Sequence, residues 1–189
     1  MSKFNFRAAL VIASVALAAP LGAGVAYAAM TKMVGGAPMY PTKNIVQNAV
    51  HSKDHTTLVA AVKAAGLVPT LEGAGPFTVL APTNAAFAKL PAGTVQTLLK
   101  PENKGMLTGI LTYHVIPGRI TAEELSKKID ESGGHYSVAT VQGAMLSFSK
   151  MGGGVAVTDA KGGTAMVTIP DVMQSNGVIH VINTVLLPG

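Results

Sequence analysis

The sequence predicts an α+β fold, with helices supplied by the first half of the chain and strands mostly by the second. Three observations carry this. Apolar residues recur at helical spacing from Ile45 to Ile129, with caps and breakers between the runs. From His135 onward the period changes to two, with glycine-containing turns between short runs. One strand, Phe77–Ala81, is embedded among the helices, so the order is not the βαβ repeat of a parallel sheet.

The elements follow in order. Lys3 and Arg7 precede an apolar run, Ala8–Ala19, and Ala26-Tyr27-Ala28 fits a small-x-small cleavage site. Residues 1–28 are therefore expected to be a signal peptide. A retained anchor is the rival reading, but Pro20, Gly22 and Gly24 break the run. Residues 29–40, with Gly35, Gly36 and Pro38, read as an irregular N-terminal arm, and a domain is expected over 41–188. Asn44 can cap a short helix holding Ile45, Val46 and Ala49. Ser52 or Asp54 can cap the next, where Leu58, Ala61, Val62 and Ala65 form a stripe closed by Gly66.

Phe77–Ala81 is rich in β-formers, and Pro82 ends its ladder. Thr83 or Asn84 can then cap a helix that puts Phe87 and Leu90 on one face before Pro91 stops it. Val95, Leu98 and Leu99 mark another helical face. After Asn103, Met106, Leu107, Ile110, Leu111 and His114 recur at helical spacing. Tyr113 and His114 thus fall at a helix exit that runs into Val115-Ile116. Thr121 and Glu124 form a capping-box pattern over a helix burying Leu125 and Ile129. Gly152-Gly153-Gly154, Gly162-Gly163 and Asn176-Gly177 punctuate the strands that follow.

Composition excludes several functions. The net charge of +5 is mild, and loss of Lys3 and Arg7 on cleavage reduces it further. Only Arg119 would remain as arginine, and no basic stripe with stacking aromatics marks a nucleic-acid surface. There is no cysteine, hence no disulfide, thiol nucleophile or lipidated cysteine. No G-x-S-x-G elbow or Walker loop is present, and Glu123-Glu124 belongs to a helix start. The chain is expected not to be an enzyme and to need no cofactor. Metal is not expected either. Met30, Met33 and Met39 lack a diagnostic spacing, and His51 and His55, four apart, lack further ligands. Those two histidines read as exposed loop and cap residues.

Three segments together resemble the fasciclin-type (FAS1) domain: Thr78-Val-Leu-Ala-Pro-Thr-Asn-Ala-Ala-Phe87 with Leu90-Pro91, Leu111-Thr-Tyr-His-Val-Ile-Pro-Gly118, and Asn176–Pro188. The resemblance covers about residues 41–188 and is greatest to single-domain secreted bacterial members. It implies a β-sandwich or wedge flanked by helices, with Phe77–Phe87 and Gly177–Leu187 contributing neighbouring central strands. It also implies adhesion or recognition outside the cytoplasm, periplasmic or extracellular, without common catalysis. In animal relatives the Tyr-His region is tied to cell attachment, which maps onto Tyr113 and His114. An integrin-contact segment maps onto Asp171 and Val172. These four are the binding candidates, while Thr83, Asn84, Phe87 and His180 are the structural ones.

The helical stripe puts His114 inside, where it needs a polar partner. Thr83 or Asn84 is expected to supply it, and His180 is likewise expected to be paired. The expected partner is an extracellular or cell-surface protein or polysaccharide. The alternative is an apolar ligand such as a lipid or a carotenoid, which some relatives bind, in a groove lined by Met33, Met39 and Tyr40.

Overall fold

A computed structural model describes residues 31–189, so the expected signal peptide lies outside the described residues. The chain enters through a hairpin, β1 (Lys32–Val34) and β2 (Ala37–Met39), where an irregular arm was expected. Its turn is Gly35-Gly36, both at positive φ, the backbone that a two-residue hairpin requires and only glycine adopts freely. Strands of three residues are too short to show a period, which hid the hairpin. Val34 and Met39 anchor it in the core.

Short helices follow: α1 (Ile45–Ala49), α2 (Thr56–Ala65) and α3 (Val68–Glu72). Asn44 and Gln47 make a reciprocal capping box on α1, and Gly66 ends α2 in the left-handed region. The embedded strand β3 (Phe77–Pro82) leads into α4 (Asn84–Ala88), with Thr83 accepting a bond from Ala86 N–H as N-cap. Next come α5 (Thr94–Leu98), α6 (Lys104–Tyr113), β4 (Val115–Pro117) and α7 (Ala122–Glu131), the last opened by the Thr121–Glu124 capping box. The strands β5 (His135–Ala139), β6 (Met145–Met151), β7 (Gly154–Thr158), β8 (Thr164–Gln174) and β9 (Gly177–Ile182) complete the fold.

One sheet runs β4-β3-β9-β8-β7-β6-β5. Only β3 and β9 pair in parallel. Beyond β5, Val141 N–H donates to the Val115 carbonyl at 2.7 Å, so the two edges nearly meet. The sandwich is thus a single sheet folded over on itself. The fold-over falls in β8, whose register shifts twice between Val167 and Val172. Pro170, which has no N–H to give a ladder, and Asp171 at φ 52° occupy that irregularity.

The sheet separates two cores. Val79, Ala81, Ile179 and Val181 face the helices with Leu58, Phe87 and Leu111. Leu80 and Ile182 face inward between the folded halves, with Tyr113, Ile116, Leu125, Ile129, Leu146, Phe148 and Val157. Because β3 and β9 are covered on both faces, they read as nearly continuous apolar runs. All six residues of β9 are buried.

Gly177 sets the distance between these two strands. A Cβ placed there would lie 2.1 Å from the Phe77 carbonyl oxygen, so β3 would have to move away. Gly177→Ala is expected to cost about 3 kcal/mol, read as the loss of unfolding free energy in urea. A variant as stable as wild type would show that the pair is not close-packed there.

Candidate functional site

His114 follows the last residue of α6. Leu186 N–H donates to its Nε2 at 3.0 Å, which leaves the proton on Nδ1, and Nδ1–H donates to the Ile110 carbonyl at 2.8 Å. The expected partners lie elsewhere. Thr83 is occupied as the α4 cap. Asn84 Oδ1 accepts from Thr57 N–H at 3.0 Å, and its Nδ2 donates to the Lys53 carbonyl at 2.8 Å. Pro82 turns the chain toward the start of α2, so Asn84 ties α4 to α2, whereas the His114 ring faces the C-terminal segment.

The neighbouring Tyr113 hydroxyl donates to the Met145 carbonyl at 2.9 Å and accepts from Ala160 N–H at 3.0 Å. It thereby joins the helical layer to two β-turn regions, and burial pushes its phenol pKa up. His180 uses the opposite tautomer. Asp171 N–H donates to Nδ1 at 3.2 Å, and Nε2–H donates to the Ile120 carbonyl at 2.9 Å. Asp171 leaves the ladder to do this. Its Oδ1 also accepts from Ala122 N–H, at the first turn of α7.

These contacts decide what the candidates can reach. Tyr113 and His180 are 0% exposed, Val172 1% and His114 2%. Tyr113, His114 and Val172, named as binding candidates, are therefore closed to a surface partner in this fold. Asp171 is half-buried and spent on α7 and His180. Phe87 is buried in the helical core. Burial lowers the His114 pKa to about 4, against the raising effects of the Ile110 carbonyl and Asp159. It lowers that of His180 as well, opposed by the Ile120 carbonyl and Asp171.

A second feature lies under α1, α2 and α3: a part-open apolar cleft of about 80 Å³, bounded by Met39, Ile45, Leu58, Leu71, Val79 and Leu111. Of the three arm residues expected to line a groove, only Met39 does so. Met33 and Tyr40 are exposed. His55 also borders the cleft and is 3% exposed, not a solvated cap. The reason is local: Lys53–His55 forms a 3-10 turn that rolls the ring inward, where its Nδ1 meets Ser52 Oγ at 2.9 Å. Desolvation lowers its pKa, partly opposed by the nearby Ala81 carbonyl and Asp54. Nε2 makes no hydrogen bond.

Sequence reading missed the buried amides and one carboxylate. Asn176 Oδ1 accepts from Ile45 N–H, and its Nδ2 donates to the Leu71 and Gly73 carbonyls, fastening α1 and α3 to the start of β9. Asn48 does the same for Tyr40 and Gln174. Asp159 accepts from Lys161, Gly163 and Leu187 N–H groups. Asn176-Gly177 was legible as a turn, but nothing local signals the long-range role of its side chain. Among the described residues, no group of three or more His, Cys, Asp or Glu side chains is placed to hold a metal ion. None of their helices is long and apolar enough to cross a membrane.

The described residues thus form a helix-flanked, nearly closed sheet whose two central histidines, His114 and His180, are paired within the fold. Comparison with known proteins makes the class specific. The Fasciclin domain matches residues 53–188, and the chain belongs to that family, which is non-catalytic. Protein sll1483 of Synechocystis sp. is 53% identical over 144 residues, spanning 76% of this chain and 73% of its own length. The cell surface glycolipoprotein MPB83 of Mycobacterium bovis is 40% identical over 122 residues, 65% of this chain and 48% of that protein. The fold is shared with a FAS1 domain pair of the insect cell adhesion molecule Fasciclin I, at TM-score 0.69 and 20% identity, covering 78% of this chain and 52% of that one.

The buried imidazoles make stability sensitive to acid. The unfolded chain protonates His114 near 6.5, whereas the folded chain does so only near 4. Stability is thus fully present above pH 6.5 and is lost as pH falls from 6.5 to 4, by about 3 kcal/mol from His114 alone. Urea unfolding across that window should show the loss. His114→Gln, which keeps a donor and an acceptor, should flatten it. An unchanged slope in the variant would assign the acid sensitivity to other groups.

Proposed function

We propose that this chain is exported and acts outside the cytoplasm as a non-catalytic recognition module for a cell-surface polysaccharide. The observation that supports this reading is a row of hydroxyls on the outer face of the folded sheet. In β6, Leu146 and Phe148 point into the core, so Met145, Ser147, Ser149 and Met151 point out. Registers then align Ser137, Ser147, Thr158 and Thr164 across β5, β6, β7 and β8. Ser137 and Thr164 are exposed, and the two between them are half-exposed. Thr158 and Thr164 hydroxyls lie 3.3 Å apart.

Sugar chains present hydroxyls and apolar C–H faces together. A pleated face with hydroxyls one strand apart, flanked by the exposed Met145 and Met151, offers both. Such a face is rigid before binding, which limits the ordering cost. The expected signal peptide and the likeness to a cell surface glycolipoprotein and to a cell adhesion molecule are consistent with this setting.

A second reading, a carrier of an apolar ligand, is favoured by the cleft beneath α1 and α2. It uses the helix-covered β3 and β9 rather than the exposed face of β5–β8 and is compatible with the first.

Cosedimentation with insoluble cell-envelope polysaccharide tests the recognition reading. Ser137→Lys combined with Thr158→Lys should weaken binding about tenfold with the melting transition unmoved, since each loses surface contacts only. Equal binding by wild type and variant, or capture of envelope protein after the polysaccharide is digested away, would overturn it.

A further inference from the structure

The chain carries a single Asn-Gly pair, Asn176-Gly177, and every other asparagine precedes a residue with a side chain. We propose that this pair is a deamidation site that the native contacts hold shut, so that time spent unfolded is recorded as an irreversible loss of the fold. The chemistry needs only water. The Gly177 main-chain nitrogen attacks Asn176 Cγ, forming an N–Cγ bond and losing its proton to solvent, and the Cγ–Nδ2 bond breaks to release ammonia. Water then opens the succinimide ring at either carbonyl, leaving aspartate or isoaspartate. Glycine favours ring closure because it has no Cβ to hinder the approach and allows the widest range of dihedrals.

In the folded chain neither reacting group is free. Asn176 Oδ1 accepts from Ile45 N–H at 3.1 Å, and Nδ2 donates to the Leu71 and Gly73 carbonyls at 2.8 Å each. These three bonds hold the amide against α1 and the end of α3. Gly177 pairs with Gln174 across β8 and β9 and with Phe77 across β3 and β9. A Cβ placed on it would stand 2.1 Å from the Phe77 carbonyl oxygen, so its backbone has little freedom to swing. Both residues are buried, which keeps water and hydroxide from them as well.

The product does not fit the place that the amide holds. An aspartate keeps an acceptor for Ile45 N–H, but its second oxygen faces the Leu71 and Gly73 carbonyls with no hydrogen to give. Its charge is buried, and the nearby Arg119 guanidinium already donates to the Gln174 and Ser175 carbonyls. Isoaspartate does more harm. It routes the main chain through the side-chain carbon and adds one atom just ahead of β9, whose six residues are held in register with β3. A chain that has reacted is therefore barred from the native pairing, whereas one that folds first is protected by that pairing.

The test incubates the full chain in mildly alkaline buffer, either folded or unfolded in guanidinium chloride, and follows Asn176 by peptide mass mapping, where conversion adds one mass unit. The folded sample is expected to react at least about tenfold more slowly, because the site reacts only after its contacts open. In the unfolded sample Asn176 should convert before the other asparagines. The fraction of chains that refold on dilution should fall in step with that conversion. Unfolded chains held for the same time in mildly acidic buffer, where the main-chain nitrogen does not attack, should refold in full. Asn176→Asp should show the folding defect without any incubation. Equal rates in the folded and unfolded samples would overturn the guarding role, and earlier conversion at another asparagine would overturn the site. Converted chains, or the Asn176→Asp protein, that refold and unfold at the wild-type guanidinium midpoint would overturn the irreversibility.

Discussion

Two imidazoles, each stripped of water and locked in one tautomer, tie the periphery of this fold to its central strands. His114 receives its bond from the C-terminal segment, and His180 receives one from the irregular point of β8. In both, the second nitrogen donates to a carbonyl at or just beyond a helix end. Neutral histidine can both give and take a bond through one rigid ring, which lysine, serine or leucine cannot do in the same space. Protonation would put two donors where one donor and one acceptor are needed. The arrangement is therefore stable only while the rings stay dry and neutral.

This requirement organises the remainder of the molecule. The central parallel strands must approach closely, hence glycine at position 177. β8 must break register so that Asp171 N–H can turn from the ladder to the ring. Asn176 and Asp159 gather backbone donors and acceptors from loops that would otherwise be buried unpaired. Among the described residues, the buried side-chain nitrogens and oxygens other than His55 Nε2 are paired within the chain.

Much of this was legible in the sequence, for identifiable reasons. Caps at Asn44, Thr83 and Thr121 are local chemistry, and each lies where the residue pattern placed it. The strand at Phe77 and the final strand were visible because strands covered on both faces become unbroken apolar runs. The partners of His114 were not. A helical stripe says that a side chain points inward but not which distant segment meets it, and Asn84, close in the motif, proved to serve α2. The Gly-Gly hairpin escaped notice because its strands are too short for a period. His55 was misplaced because a 3-10 turn, rather than a continuous helix, determines where its ring goes. The hydroxyl row was invisible for a different reason: cross-strand alignment depends on register, which no single strand encodes.

The account stands or falls on the state of the two rings. Long-range proton–nitrogen NMR correlation of the imidazoles at pH 6 reads it directly. His114 should appear neutral with its proton on Nδ1, and His180 neutral with its proton on Nε2, each as one tautomer in slow exchange with water. Rings that are protonated at that pH, or that average between tautomers, would contradict it.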